Sequence, residues 1–136
     1  MKTFDWQEYY LLAKVLLSQA ESSPHKEAML RSAVSRAYYA AFHRACDYLR
    51  GMSDYPTQQE FKSNRKETHK FLIDMFADIP DHPRRREIGE MLQSLKGLRH
   101  QADYQKSVAR HIFRKKKTIE LIVDEAKKVI DLIDSL

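Results

Sequence analysis

The chain has 136 residues and a net charge of +5, with three glycines, four prolines and one cysteine. This length suits one domain over residues 1–136 that buries its own core, and so few glycines and prolines disfavour an all-β fold. The lone Cys46 excludes an internal disulfide and fits a reducing compartment. No apolar run approaches the ~20 residues that span a bilayer, and no N-terminal signal pattern is present. The sequence therefore predicts a cytoplasmic protein with no membrane contact.

The positive charge is concentrated in one short segment. Residues 110–117 hold five Lys or Arg and no acid, so the remaining 19 basic residues match the 19 acidic ones. A second run, at 84–86, consists of three arginines. Such runs attract phosphates or acidic partners, although they also occur on ordinary solvated helix ends. The residues of the first run that we single out as candidate phosphate contacts are Arg110, Arg114, Lys115 and Lys116.

Apolar residues recur every three or four positions in five segments, which is the pattern of amphipathic helices. The predicted helices run from about Thr3 to Ala20, Pro24 to Arg50, Lys66 to Ala77, Pro83 to Ala102 and Val108 to Ser135. Ser23, Pro24 and Glu27 fit a capping box at the start of the second helix. The polar stretch at about 52–66 is predicted to be a surface loop. The fold class predicted from these elements is all-α, a four- to five-helix up-and-down bundle.

The second predicted helix carries an organised polar stripe as well as its apolar one. Ser32, Arg36, Tyr39 and His43 follow at i, i+4, i+7 and i+11, so at ~100° per residue they share a sector of roughly 60°. This stripe lies opposite the apolar positions of the same helix. It is either an ordinary solvated face or a surface that meets a partner.

In the fourth predicted helix, Arg99 falls inside the apolar sector, close to the angular position of Leu92. An arginine there must extend to solvent, pair with a carboxylate or line a site. Asp103, one turn later, is the nearest candidate partner, and Tyr104 suits a half-buried rim. The pair is therefore either a structural clamp at the helix end or part of a functional site.

Two segments resemble stretches found in the HEPN (higher eukaryotes and prokaryotes nucleotide-binding) family. Residues 35–43 read SRAYYAAFH, and residues 99–104 read RHQADY. They are similar to the S-R-x-Y-Y-A-x-F-H and R-x-x-A-D-Y stretches of that family, in the same order. The resemblance covers most of the chain, and it implies a helical bundle that forms a symmetric homodimer.

The resemblance also implies a choice of functions. Many HEPN proteins are metal-independent endoribonucleases of toxin–antitoxin, CRISPR or antiphage defence systems, with an R-x(4–6)-H motif. Other members bind RNA, a nucleotide or a partner protein without catalysis. In this chain none of residues 103–106 is histidine, so the motif after Arg99 is incomplete. His100 is adjacent to Arg99, and His111 lies twelve positions on.

We therefore expect a module that binds RNA, a nucleotide or a protein partner, such as a cognate toxin or antitoxin of the nucleotidyltransferase kind. An endoribonuclease using Arg99 with His100 or His111, or Arg36 with His43 across a dimer, is the first alternative. A structural interaction protein that docks through the stripe on the second helix is the second. The spacing of the histidines and the single cysteine predict no metal site, and no cofactor is expected. The residues expected to bind RNA or a nucleotide, besides the basic ones above, are Arg36, Tyr39, His43, Arg99, Asp103 and Tyr104.

Overall fold

The computed structural model describes residues 3–52, 68–78, 82–107 and 110–136, so the predicted loop at about 52–66 falls almost wholly outside the described residues. Within these ranges the structure is built from α-helices without strands, which confirms the all-α helical bundle. None of the described helices is long and apolar enough to cross a membrane. The helices are α1 Gln7–Ala20, α2 Lys26–Arg50, α3 Thr68–Ala77, α4 Pro83–Tyr104, α5 Arg110–Phe113 and α6 Lys116–Asp134.

The long helix α2 lies at the centre of the bundle and packs against α1, α4 and α6. Its alanines make this possible, because Ala33, Ala37 and Ala40 are fully buried and let neighbouring helices approach closely. Helix α6 supplies the most regular buried stripe, as its periodicity predicts. That stripe consists of Ile119, Val123, Ala126, Val129, Ile130 and Ile133.

The first two helices begin later than the sequence predicts. Helix α1 starts at Gln7 rather than at Thr3, and its N-cap residue, Trp6, makes no capping hydrogen bond with its side chain. The Asp5 carboxylate accepts a hydrogen bond from the Gln7 N–H at 2.9 Å, which forms a turn before the helix. Helix α2 starts at Lys26 rather than at Pro24. The Ser23 hydroxyl accepts from the backbone N–H of His25 at 3.0 Å, which forms a turn before the helix instead of the predicted cap.

The prediction of a single helix over Val108–Ser135 is wrong in one respect, because the described residues of this range form two helices, α5 and α6. The backbone of Lys115 is extended, with φ −103° and ψ 104°, and separates α5 from α6. This break allows Phe113 to turn into the core, where it is fully buried. The guanidinium of Arg31 lies 4.7 Å from the centroid of the Phe113 ring. No glycine or proline marks the break in the sequence.

The arginine run at 84–86 does not form one basic surface. Arg85 is 5% exposed and donates a hydrogen bond from Nη2 to the carbonyl of Met75 at 2.8 Å, near the end of α3. Arg84 points towards the end of α6 and donates to the Ser135 carbonyl at 3.3 Å. Arg85 therefore joins α3 to α4 and is not available to an acidic partner.

Candidate functional site

The two segments that resemble the HEPN family meet where α2 packs against α4. Ser35 on α2 donates a hydrogen bond from Oγ to Oδ2 of Asp103 on α4, at 3.2 Å. The same Oδ2 lies 3.6 Å from Nη1 of Arg99, so the predicted ion pair is present. The Arg99 guanidinium also lies 5.5 and 5.6 Å from the ring centroids of Tyr38 and Tyr39. Residues sixty or more positions apart in the chain thus form one cluster.

Arg99 is nearly enclosed, yet its hydrogen-bonding capacity is not used up. Its side chain is 11% exposed, and its Nε is buried without a hydrogen-bond partner among the described residues. The Asp103 carboxylate, at 3.6 Å, is beyond good hydrogen-bond distance. A buried donor of a charged group that lacks an acceptor costs ~1–3 kcal/mol or more. Within the described residues Arg99 thus retains one unsatisfied donor, as do Arg31 at Nη2 and Arg85 at Nε, and an anion that reached the Arg99 guanidinium would pair with the positive charge.

Arg36 connects the cluster to α1. Its guanidinium lies 4.7 Å from the ring centroid of Tyr9 on α1 and 5.3 Å from that of Tyr39. Its Nη2 donates to Oγ of Ser35 at 3.4 Å, so a chain of polar contacts runs from Arg36 through Ser35 to Asp103. Two arginines and one carboxylate give this chain a net positive charge.

The N-terminal end of α1 covers one end of the polar stripe on α2. The ring of Trp6, at the start of α1, stacks on His43 with centroids 3.6 Å apart and planes 10° apart. Tyr39 and His43 are each half-buried, whereas Ser32, at the other end of the stripe, is exposed. The stripe is therefore neither a fully solvated face nor an entirely open partner surface, because part of it packs against its own chain.

His69 on α3 is a member of the site that the sequence reasoning missed. Its Nδ1 lies 2.7 Å from the hydroxyl oxygen of Tyr38, and its ring stacks on Phe42 with centroids 4.1 Å apart and planes 5° apart. Burial lowers the pKa of His69 to about 4, and the positive charges of Arg99 and Lys96 add to this shift. His69 is therefore neutral at physiological pH.

A sequence signal for His69 does exist. It precedes Leu72, Ile73 and Phe76 by three, four and seven positions, and these three residues form the buried stripe of α3. A polar side chain in an apolar stripe is the same signal that singled out Arg99 on α4.

His100, the tentative catalytic partner of Arg99, is exposed and makes no hydrogen bond with it. Its ring centroid lies 5.1 Å from that of Tyr104, which is 69% exposed. The guanidinium of Arg99 lies 5.9 Å from the Tyr104 ring centroid. Tyr104 therefore forms an exposed aromatic rim beside the enclosed arginine.

The basic segment of residues 110–117 is partly neutralised by Glu27. The Glu27 carboxylate accepts hydrogen bonds from Nε of Arg110 at 3.0 Å and from Nε of Arg114 at 3.1 Å. Although burial raises it, the pKa of Glu27 is held below its usual value by hydrogen bonds from Arg114, Arg31 and Arg110. Lys116 lies 3.9 Å from the Glu120 carboxylate, whereas Lys115 is exposed. An RNA phosphate would therefore have to compete with Glu27 for the two arginines.

Arg31 is a second residue that the sequence reasoning missed. Its Nη1 donates to the carbonyls of Gln101, Ala102 and Gln105 at 3.1, 3.0 and 2.9 Å. It thus binds the carbonyls at the C-terminal end of α4, of which Gln101 also accepts from the Gln105 N–H, and the helix dipole favours a positive charge there. This contact fixes the turn that carries Asp103. A surface pocket of about 370 Å³ lies beside that turn, between Glu27, Asp103, Tyr104, Lys106 and Arg110.

Within the described ranges, no group of three or more His, Cys, Asp or Glu side chains is arranged to hold a metal ion. Comparison with protein-family models, curated proteins and solved structures gives no match to this chain.

Proposed function

We propose that this chain is an RNA-binding module of the HEPN type and that its site is the cluster around Arg99. The observation that carries the proposal is the convergence of the two HEPN-like segments through Ser35, Asp103 and Arg99. Most of the buried positions in the two segments belong to the apolar core, namely Ala37, Tyr38, Ala40, Ala41, Phe42 and Ala102. The residues that meet are polar ones, which a bundle of this size does not need for its core.

The chemistry of the cluster fits single-stranded RNA. Arg99 carries a positive charge and an Nε donor that is unpaired within the described residues, and Arg36 adds a second positive charge through the Ser35 contact. The rings of Tyr39 and Tyr104 lie at the edge of the cluster, where an unpaired base can stack on an aromatic side chain. A positively charged groove next to aromatic rings is the usual arrangement in proteins that bind single strands.

The metal-independent endoribonuclease that acts as a dimer is the alternative within the same family. The exposed position of His100 and the stacking of His43 on Trp6 give this alternative less support than binding has. From the resemblance alone, we further propose a cytoplasmic homodimer that serves a toxin–antitoxin or antiphage defence system. A structural interaction protein would not need an arginine with an unpaired donor in this cluster.

The test is RNA binding in the presence of EDTA, measured by fluorescence anisotropy with a labelled single-stranded oligonucleotide of mixed sequence. Arg99→Gln should weaken binding about tenfold or more, because it removes a charge-assisted contact to phosphate. The matched control is Arg86→Gln, which removes the same charge from an exposed position outside the cluster. Equal affinities of the two variants would refute the site.

The same samples decide between binding and cleavage. If wild-type protein degrades the oligonucleotide in EDTA and Arg99→Gln does not, the endoribonuclease alternative is correct. If neither binding nor cleavage occurs, the chain is an interaction protein.

A further inference from the structure

His69 lies outside the two HEPN-like segments, on a third helix, α3. Tyr38 and Tyr39 are neighbours of both this imidazole and the Arg99 guanidinium. Their ring centroids lie 5.8 and 6.0 Å from the centroid of the His69 ring, and 5.5 and 5.6 Å from the guanidinium carbon. Stacking and one hydrogen bond thus hold His69 in the same aromatic cluster as Arg99. Its second ring nitrogen, Nε2, makes no hydrogen bond within the described residues. This atom is not fully buried.

The hydrogen bond to Tyr38 determines which nitrogen carries the proton. The Tyr38 side chain is fully buried, and burial raises the pKa of its hydroxyl even though Arg99 opposes the shift. The hydroxyl is therefore protonated at neutral pH. If His69 donated from Nδ1, the buried O–H of Tyr38 would have no acceptor, which costs ~1–3 kcal/mol. The stable arrangement is the one in which Tyr38 donates to Nδ1, so the imidazole proton lies on Nε2.

We propose that His69 is a ligand-binding residue that donates a hydrogen bond, as a neutral imidazole, from Nε2 to a phosphate oxygen bound by Arg99. This inference rests on the proposed RNA-binding function and identifies one more group of the same site. Tyr38 is a positioning residue in this arrangement, because it fixes the tautomer and does not touch the ligand. With its proton on Nε2, His69 cannot accept a proton from a ligand at that atom, so its role is binding and not general-base catalysis.

The tautomer can be measured in the free protein. Nitrogen NMR of protein labelled at histidine should show one ring with an unprotonated Nδ1 and a protonated Nε2, neutral from pH 8 down to about pH 5. The groups that face His69 and set this behaviour are Tyr38, Tyr39, His43, Lys96 and Arg99. The signal should be missing in His69→Phe, and Tyr38→Phe should return a mixture of tautomers. A proton on Nδ1, or an imidazolium at pH 6.5, would overturn the inference.

Binding of the single-stranded oligonucleotide tests the role itself. His69→Phe keeps the stacking on Phe42 and removes the donor, and it should weaken binding about tenfold, as expected for one hydrogen bond to a charged group. His69→Gln should lose less, because its amide retains a donor. The control is His25→Gln, an exposed histidine at the start of α2, which should bind like wild type.

The salt dependence separates the contribution of His69 from that of Arg99. Because His69 is neutral, His69→Phe should leave the slope of log Kd against log salt concentration unchanged, whereas Arg99→Gln should reduce it by about one. If Arg99→Gln weakens binding and His69→Phe does not, the inference is wrong and the proposed function stands. If wild-type protein binds no RNA, the proposed function fails, and the role of His69 fails with it.

Discussion

Replacing Gly89 by alanine should destabilise the protein, because a Cβ at this position would collide with the backbone of α3. An ideal Cβ would lie 2.6 Å from the Ala77 backbone nitrogen and 2.8 Å from its Cα and Cβ. Carbon contacts in a protein core are ~3.5–4.0 Å, so the end of α3 would have to move by about 1 Å. Alanine gains ~1 kcal/mol over glycine within a helix, but overpacking costs ~1–3 kcal/mol and more where backbone must move. We expect a net loss of about 1–2 kcal/mol.

Gly97→Ala is the matched control, since a Cβ at that position of α4 meets nothing within 4 Å. This variant should gain about 1 kcal/mol from helix propensity alone. The assay is urea denaturation followed by far-UV circular dichroism, which gives the free energy of unfolding for both variants. If both variants changed the free energy of unfolding in the same direction, the contact between Gly89 and Ala77 would not be what determines the effect. Since His69 lies on α3, Gly89→Ala should also disturb the hydrogen bond between Tyr38 and His69, and Gly97→Ala should not.

Two further predictions concern stability. Arg31→Met removes the group that caps α4 and should lower the free energy of unfolding, measured by urea denaturation, by about 2–3 kcal/mol. Arg44→Met, which breaks an exposed ion pair with Asp134, should lower it by less than about 1 kcal/mol. Equal losses would contradict the capping role of Arg31. Because the pKa of His69 is lowered from 6.5 to about 4 on folding, its contribution to stability is complete above pH 6.5 and is lost as the pH falls towards 4. Because His69 is partly exposed, this loss is about 1–2 kcal/mol. If the stability of a His69→Phe variant falls as much as that of wild type between pH 6.5 and 4, His69 is not the source of the pH dependence.

The helices could be predicted from the sequence because each buries one regular apolar stripe. The stripe of α6 is the clearest case, and its residues are buried as their spacing requires. The break at Lys115 could not be predicted, since it has no glycine or proline and follows from the burial of Phe113 against Arg31. Phe113 and Arg31 are about eighty positions apart, so a pattern of neighbouring residues cannot predict their contact.

The candidate site could be predicted only in part. Arg99 was found because a charged side chain in an apolar stripe needs a local explanation, and its partner Asp103 lies one turn away. His69 and Arg31 act through partners on other helices, so their roles depend on tertiary packing. The phosphate contacts predicted for Arg110 and Arg114 rested on charge alone, and charge does not reveal that Glu27 already binds both side chains.

RNA binding at the cluster around Arg99 is tested by NMR mapping of the oligonucleotide on the protein at moderate salt. If RNA binds at the cluster around Arg99, its side-chain Nε–H signal and the backbone amides of Ser35 and Asp103 should shift most. The Nε–H of Arg99 is a sensitive probe because it is buried and has no partner among the described residues. Shifts confined to the exposed lysines near Lys115, with the Arg99 signal unchanged, would show that RNA does not bind at this cluster.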